Sequence, residues 1–333
     1  PVLFFSSRGI VYKEKVWRLP LATPQSRGKA LVNMLPLEKG ERITSILPLP
    51  NDEEAAEALN VMFATTRGTV RRNKLSDFVQ VNRNGKIAMK LDEAGDEILA
   101  VATCSEDDDV LLTAASGQCI RFPTTDVRVF AGRNSVGVRG MSLAEGDRLI
   151  SMAIMRHVDA TPAERATYLR MRRAVEGEAA SEVVADEEAT EEVALTQERY
   201  AFLSAAEEFV LTISEFGFGK RSSSYDFRTI GRGGKGIRAT DVSRIGDIGP
   251  LVAGFPVEDS DQLLLISDRG QMIRVPVDGI RIASRATKGV TIFNTADGER
   301  VVSVERIPDQ GEEVPELDES GGGDEPGEPT SEG

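Results

Sequence analysis

The hydrophobic positions of this chain fall in short runs rich in Val, Ile, Leu and Phe, each bounded by Gly, Pro, Asn, Asp or Ser. That texture predicts strands. Five units each open on an apolar run and pass through a polar turn ending in Gly9, Gly68, Gly117, Gly217 or Gly270. Each then continues into a strand carrying basic residues, and a glycine loop with Arg or Lys closes 19 to 21 residues after the turn glycine. The units predict strands at 2–5, 10–16, 29–35 and 42–47, then 61–65, 69–72, 86–91 and 97–103, then 110–114, 118–122, 136–141 and 148–155. The last two predict 209–213, 219–223, 236–240 and 251–256, then 262–267, 271–275, 289–293 and 300–306. Four-stranded repeats spaced near 50 residues are the signature of an all-β, propeller-like array.

The closing loops are Q-S-R-G-K-A (25–30), N-R-N-G-K-I (82–87), G-R-N-S-V-G (132–137), G-R-G-G-K-G (231–236) and S-R-A-T-K-G (284–289). A second signature precedes the fourth strand: K-G-E-R-I (39–43), A-G-D-E-I (94–98), E-G-D-R-L (145–149) and D-G-E-R-V (297–301). Gly beside an acid supplies the positive φ of a hairpin tip. The fourth unit departs from it with D-I-G-P-L (247–251).

Units three and four are separated by a long interruption. Segment 161–173 has Ala, Leu and Met at helical spacing, 191–208 is rich in Ala, Glu and Leu with few breakers, and 176–190 between them is small, acidic and low in complexity. This predicts an inserted helical hairpin with a mobile crest, projecting from the array. The organisation expected is an array over 1–307, interrupted by an insertion at 157–208 and followed by a disordered acidic tail at 308–333.

Charge changes the picture. The net charge is −14, yet the tail carries −10 and the insertion −8, leaving +4 for the repeats. A basic body with acidic appendages points to a polyanionic partner, and the tail is expected to compete with it.

Other chemistry is thinly represented. Cys104 and Cys119 are the only cysteines, which fits a reducing cytoplasm and gives no disulfide framework or Cys-based metal site. No apolar stretch approaches a membrane span and no leader precedes the first strand, so no membrane contact is expected. The opening Pro1 running straight into a strand suggests an excised piece. The single histidine, His157, reads as solvated, and Asp107-Asp108-Asp109 as a solvated turn lacking the Gly and distal Glu of a Ca²⁺ loop. No hydrolase, P-loop or zinc spacing occurs, so neither catalytic residues nor a metal site are expected.

The basic residues are better organised. The loops contribute Arg27, Lys29, Arg83, Lys86, Arg133, Arg139, Arg232, Lys235, Arg285 and Lys288, and the second strands Lys13, Lys15, Arg71, Arg72, Arg121, Lys220, Arg221 and Arg274. Radial stacking would bring the loops to one rim, where glycines such as Gly233 and Gly234 let phosphates approach backbone N–H groups. Such a rim cannot read sequence, but it can bend duplex DNA, at an elastic cost of roughly 1–6 kcal/mol per 20–30 bp. No aromatic interleaves with the loops, which argues against single-strand stacking.

These residues resemble the C-terminal domain of DNA gyrase A. The resemblance spans the array and is densest in S-S-R-G-I-V-Y (6–12), V-N-M-L-P-L-E-K-G-E-R-I-T-S-I-L-P (32–48), G-V-R-G-M-S-L-A-E-G-D-R-L-I-S (137–151), G-F-G-K-R (217–221) and S-R-A-T-K-G-V (284–290). It implies a β-pinwheel whose four-stranded blades exchange strands, with a basic rim that wraps duplex DNA for ATP-dependent negative supercoiling by a type IIA topoisomerase. It also implies the rest of gyrase A, together with gyrase B, as partners in an assembly of two of each. ATP and Mg²⁺ would act elsewhere in that bacterial, nucleoid-associated holoenzyme, with no cofactor in this chain. The family's Q-R-R-G-G-K-G box is most nearly matched by 230–236, five of seven residues, in the fourth unit. The alternatives are the equivalent domain of topoisomerase IV, which decatenates and relaxes, and a protein-interaction propeller.

Overall fold

A computed structural model describes residues 1–21, 27–50, 52–92, 95–176 and 193–309. The first unit forms β1 (Val2–Ser6), β2 (Ile10–Glu14) and β3 (Ile43–Pro48), and the second β4 (Asn60–Thr65), β5 (Thr69–Lys74), β6 (Lys86–Ile87) and β7 (Ile98–Cys104). The third forms β8 (Asp108–Ala114), β9 (Gln118–Pro123), β10 (Val138–Arg139) and β11 (Leu149–Arg156). The fourth forms β12 (Phe209–Ser214), β13 (Phe218–Ser223), β14 (Ile237–Arg238) and β15 (Leu251–Val257). The fifth forms β16 (Gln262–Ser267), β17 (Met272–Pro276), β18 (Val290–Thr291) and β19 (Val301–Ile307).

Every sheet is antiparallel, but no sheet matches a sequence unit. The orders are β3-β1-β2-β6, β10-β5-β4-β7, β11-β8-β9-β14, β15-β12-β13-β18 and β17-β16-β19. Each unit's third strand crosses to the preceding blade, where it pairs with the start of the second strand: Ile10 with Ile87, Thr69 with Arg139, Gln118 with Arg238 and Phe218 with Thr291. These exchanged strands are two residues long, shorter than the pattern predicts. Their reach is extended by the turn glycine beside them: the Gly68 carbonyl accepts from both Gly140 (2.8 Å) and Met141 (3.2 Å). The strand expected at 29–35 is instead a single 3-10 turn, Leu31–Asn33, because no earlier blade among the described residues offers it an edge. Leu35 there packs on Val2, Phe4 and Tyr12 of its own blade.

The first strands of the first four units are buried on both faces, so their apolar runs are continuous, whereas β16 of the fifth alternates between buried and half-buried positions. The cores lie between blades. Phe5 meets Phe63 and Phe78 edge-on at 5.5 and 5.7 Å between blades one and two. Leu112 and Phe122 pack on Met62 and Val70 between two and three, and Leu111 and Cys119 on Val210 and Leu251 between three and four. Burial of the Cys104 and Cys119 thiols pushes the pKa of both up to about 12, which favours the neutral thiol.

The insertion contributes α2 (Pro162–Glu176) and α3 (Gln197–Ala206), after a short α1 (Glu53–Ala58) earlier in the chain. The pair does not project freely. Tyr168 lies 5.1 Å from both Tyr200 and Tyr225, Tyr225 donates to the Leu203 carbonyl at 2.7 Å, and Arg173 pairs with Asp226 at 3.5 Å. The expected crest and nearly all of the acidic tail lie outside the described residues.

Candidate nucleic-acid interface

Second strands leave their hairpin from a turn glycine, and the fourth residue after it is basic in all five units: Lys13, Arg72, Arg121, Arg221 and Arg274. The sequence places these on a DNA-facing surface. The structure corrects that placement for most of them. Arg72, Arg121 and Arg221 are 4–5% exposed, and so is Arg285, while Arg71 and Lys220 are 0–1% exposed.

All of these side chains but Arg72 are ties between units. Arg121 donates from Nε to Asp109 (2.8 Å), from Nη1 to the Ser224 carbonyl (2.8 Å) and from Nη2 to the Arg156 carbonyl (2.9 Å). Arg71 gathers the carbonyls of Gly132, Arg133 and Ser135, holding the third unit's loop onto the second blade. Arg221 donates to the carbonyls of Ile280 (2.8 Å) and Asp278 (3.1 Å) and pairs with Asp259. The Lys220 ammonium donates to the carbonyls of Ala239 (3.2 Å), Arg285 and Thr287. Burial pushes Lys220 down to about 7, against an opposing pull from Asp226. A cation fixed on several buried carbonyls adds cohesion and offers nothing to a phosphate.

Loop arginines repeat a second tie. Arg133, Arg232 and Arg285 donate to the carbonyls of Asp77 (2.9 Å), Asp126 (2.9 Å) and Asp226 (2.8 Å), the same position on three successive blades. Arg232 and Arg285 also reach the carbonyls of Arg139 (3.0 Å) and Arg238 (2.6 Å). Arg232 nevertheless remains exposed and Arg133 half-exposed.

The loop glycines divide as well. Gly236 has φ +81°, and a Cβ there would sit 2.1 Å from the Cys119 carbonyl oxygen, so it serves close strand approach. Gly233 donates its N–H to the Gly140 carbonyl at 2.6 Å, which removes that group as a phosphate donor. Gly234 is exposed, and a Cβ there would meet only Ile120 Cδ1 at 3.9 Å and the Gly236 nitrogen at 4.0 Å, ordinary van der Waals contacts.

The outward set comprises Lys15, Arg27, Lys29, Arg83, Arg139, Arg232, Lys235 and Arg274, all of them exposed. Arg83 pairs with Glu14 at 3.2 Å. Lys13, Lys86 and Lys288 are half-buried: Lys13 donates to the Val79 carbonyl, Lys86 to the Gln80 carbonyl at 2.9 Å, and Lys288 lies 4.8 Å from the Phe218 ring.

Three features are not evident from the sequence pattern. Arg128 and Arg238 are exposed; Arg238 stands two residues past the final loop glycine, as Arg139 does, a repeat that could have revealed it. Trp17 is 71% exposed, with Lys15 and Arg18 at 6.0 and 5.0 Å from its ring, so one basic turn does carry an aromatic. His157 is not merely solvated: its Nδ1 lies 2.9 Å from Asp109, the carboxylate that anchors Arg121. Asp108 likewise accepts from Ser105 rather than facing solvent alone. Among the described residues no group of acids, His or Cys could hold a metal ion, and no helix is long and apolar enough to cross a membrane.

The fold recurs in known proteins. The family model described as the DNA gyrase C-terminal domain, beta-propeller, matches residues 1–50, 59–105, 108–154, 208–247 and 261–308. DNA gyrase A of Granulibacter bethesdensis is 50% identical over 332 residues, covering 94% of this chain and 35% of that protein. The Rickettsia bellii gyrase A is 44% identical (96% and 35%), and that of Escherichia coli K12 34% identical (92% and 29%). The chain thus spans about a third of the length of these relatives. Among solved structures, the C-terminal domain of DNA topoisomerase IV aligns with a TM-score of 0.69 at 18% identity, over 92% of this chain and 79% of that one. The DNA gyrase A C-terminal domain aligns with a TM-score of 0.63 at 20% identity, over 92% and 81%. The blade architecture is therefore theirs, and with the five matched repeats this chain belongs to the DNA gyrase C-terminal domain family.

Proposed function

We propose that this chain is the module of a DNA gyrase A protein that binds, bends and wraps duplex DNA without reading its sequence. The observation that carries this is the outward set around the fourth unit's loop. Arg139, Arg232 and Lys235 are exposed beside an exposed Gly234, and Arg232 is held in place by its donation to the Arg139 carbonyl. Each exposed cation can neutralise a phosphate and release a counterion, and a curved row of such contacts offsets the elastic cost of bending.

On this reading the chain has no catalytic residues of its own. It serves ATP- and Mg²⁺-dependent negative supercoiling in a cytoplasmic assembly with the rest of gyrase A and with gyrase B, by presenting wrapped DNA to a strand-passing machine. The topoisomerase IV alternative draws on a fold shared at 18% identity, whereas the gyrase relatives are 34–50% identical. A supercoiling assay of the reconstituted enzyme separates the two.

The direct test is duplex binding over a salt series. The wild-type chain should lose affinity linearly on a log–log plot, and Arg139→Glu, Arg232→Glu and Lys235→Glu together should lower both affinity and slope. A salt-independent affinity, or one indifferent to the triple reversal, sinks the reading.

A further inference from the structure

Each of the first four blades turns from its second strand into a short 3-10 segment: Val16–Arg18, Leu75–Phe78, Thr124–Asp126 and Ser224–Asp226. In the first and third blades this turn meets solvent, with Trp17 71% exposed and Thr125 and Asp126 also exposed. In the fourth it does not. Tyr225, which occupies the repeat position of Trp17, is 4% exposed beneath α2 and α3. The roof is fastened by the Tyr168–Tyr225 contact, the Tyr225–Leu203 hydrogen bond and the Arg173–Asp226 ion pair. The loop arginine that clamps each turn changes with it: Arg232 over the third turn is exposed, whereas Arg285 over the fourth is 5% exposed.

We infer that the helical insertion delimits the DNA path, closing the rim at the fourth blade so that a wrapped duplex runs along the open turns and leaves the rim there. The inference rests on the DNA-wrapping reading. Sterically, two docked helices occupy the surface that the first and third blades leave open. The firm docking distinguishes this from a loose arm, because undocking would expose Tyr168, Leu203 and Tyr225, which are 0–4% exposed.

The insertion can be excised without stretching the chain, since the Arg156 N–H donates to the Glu208 carboxylate at 2.9 Å across its base. Residues 159–206 are replaced by a short Gly/Ser linker, and a second variant, Tyr168→Ala with Arg173→Glu, keeps the helices but loosens the roof. The length of linear duplex protected from nuclease digestion is measured for both, beside the Arg139→Glu, Arg232→Glu, Lys235→Glu chain with its insertion intact. The expected result is a longer protected fragment in both insertion variants and a several-fold gain in low-salt affinity. Unchanged protected length in the insertion variants, with binding still lost in the triple reversal, overturns this inference and leaves the wrapping reading standing. A shorter protected fragment also overturns it, by making the insertion a DNA contact. Should the excised chain fail to give the β-sheet circular dichroism of the parent, the loosened-roof variant decides. Binding indifferent to the triple reversal removes the wrapping reading itself.

Discussion

Arg121 and Arg232 both attach to the third blade, both donate to backbone carbonyls of a neighbouring unit, and in a charge count they are the same residue. Arg121 projects from β9, whose Cys119, Ile120 and Phe122 are all fully buried, and its guanidinium is enclosed by Asp109 and three carbonyls. Arg232 projects from a glycine loop, uses Nε and Nη1 on two carbonyls and leaves the rest of its fork in solvent. The difference teaches that the basic repeat consists of two concentric sets. The inner set fixes the exchanged loops at a definite height on the neighbouring blade, and the outer set can then present charge from a preorganised position.

The widest separation of the two sets should come from Arg121→Met against Arg232→Met. Removing Arg121 leaves the Asp109 carboxylate, itself 0% exposed, with His157 as its remaining close partner. The cost of such an uncompensated buried charge is about 3–5 kcal/mol, read as a lower urea midpoint. Arg232→Met should stay within about 1 kcal/mol of the parent while weakening duplex binding. Equal losses of stability in the two variants would break the division into sets.

The same contrast can be drawn inside one loop. Gly236→Ala must place a Cβ against the Cys119 carbonyl at φ +81°, whereas Gly234→Ala meets nothing closer than Ile120 Cδ1 at 3.9 Å. We expect a loss of about 2–3 kcal/mol for the first, as backbone strain and a displaced exchanged strand, and under about 0.5 kcal/mol for the second. Thermal melts of the two variants side by side decide it.

Much of the array was legible because first strands, turn glycines and tip signatures are local features whose physics repeats in every unit. Strand exchange was legible only through resemblance, since nothing within 86–91 says which blade's edge it will meet. The inner set was missed because a cation in a strand resembles a surface residue when its neighbours are not weighed. The signal was present in C-I-R-F (119–122), an unbroken apolar stretch in which an arginine has no solvent face to turn toward. Asp109, an acid twelve residues earlier on the paired strand, was its available partner. The docking of the insertion depends on Tyr225 meeting Tyr168 from a distant part of the chain, and no local pattern encodes that.

Acidity should sharpen the comparison at the fourth blade. Burial pushes the Asp226 carboxyl up to about 6, partly opposed by Arg173 and Arg285. A carboxyl whose folded value exceeds its unfolded one favours the protonated fold. The stability it contributes is complete below about pH 4 and is lost as pH rises through about 6. Denaturant melts at pH 5 and 7 should show part of this loss, about 1 kcal/mol, in the parent but not in Asp226→Asn. A parallel pH dependence in both chains would remove Asp226 as its source.

One member of the inner set lacks what the others have. Arg72 occupies the repeat position of Arg121 and pairs in register with Met62 as Arg121 does with Leu111. Yet among the described residues its Nε and Nη1 have no hydrogen-bond acceptor, and it reaches Glu106 only at 3.9 Å. The repeat explains why. Asn60 stands where the third blade has Asp109, and the Asn60 side-chain oxygen is likewise buried without a donor. Asn60→Asp supplies the missing carboxylate at nearly constant volume. The new charge loses hydration on burial, but it meets a guanidinium already desolvated and an unsatisfied pair of donors, so the exchange should favour folding by about 1 kcal/mol. The readout is a higher melting temperature in Asn60→Asp that disappears when Arg72→Met is added, a cycle that isolates the pair. If Asn60→Asp lowers stability, or raises it equally without Arg72, then the inner ties do not owe their strength to the carboxylate, and the contrast between Arg121 and Arg72 must lie in the carbonyls alone.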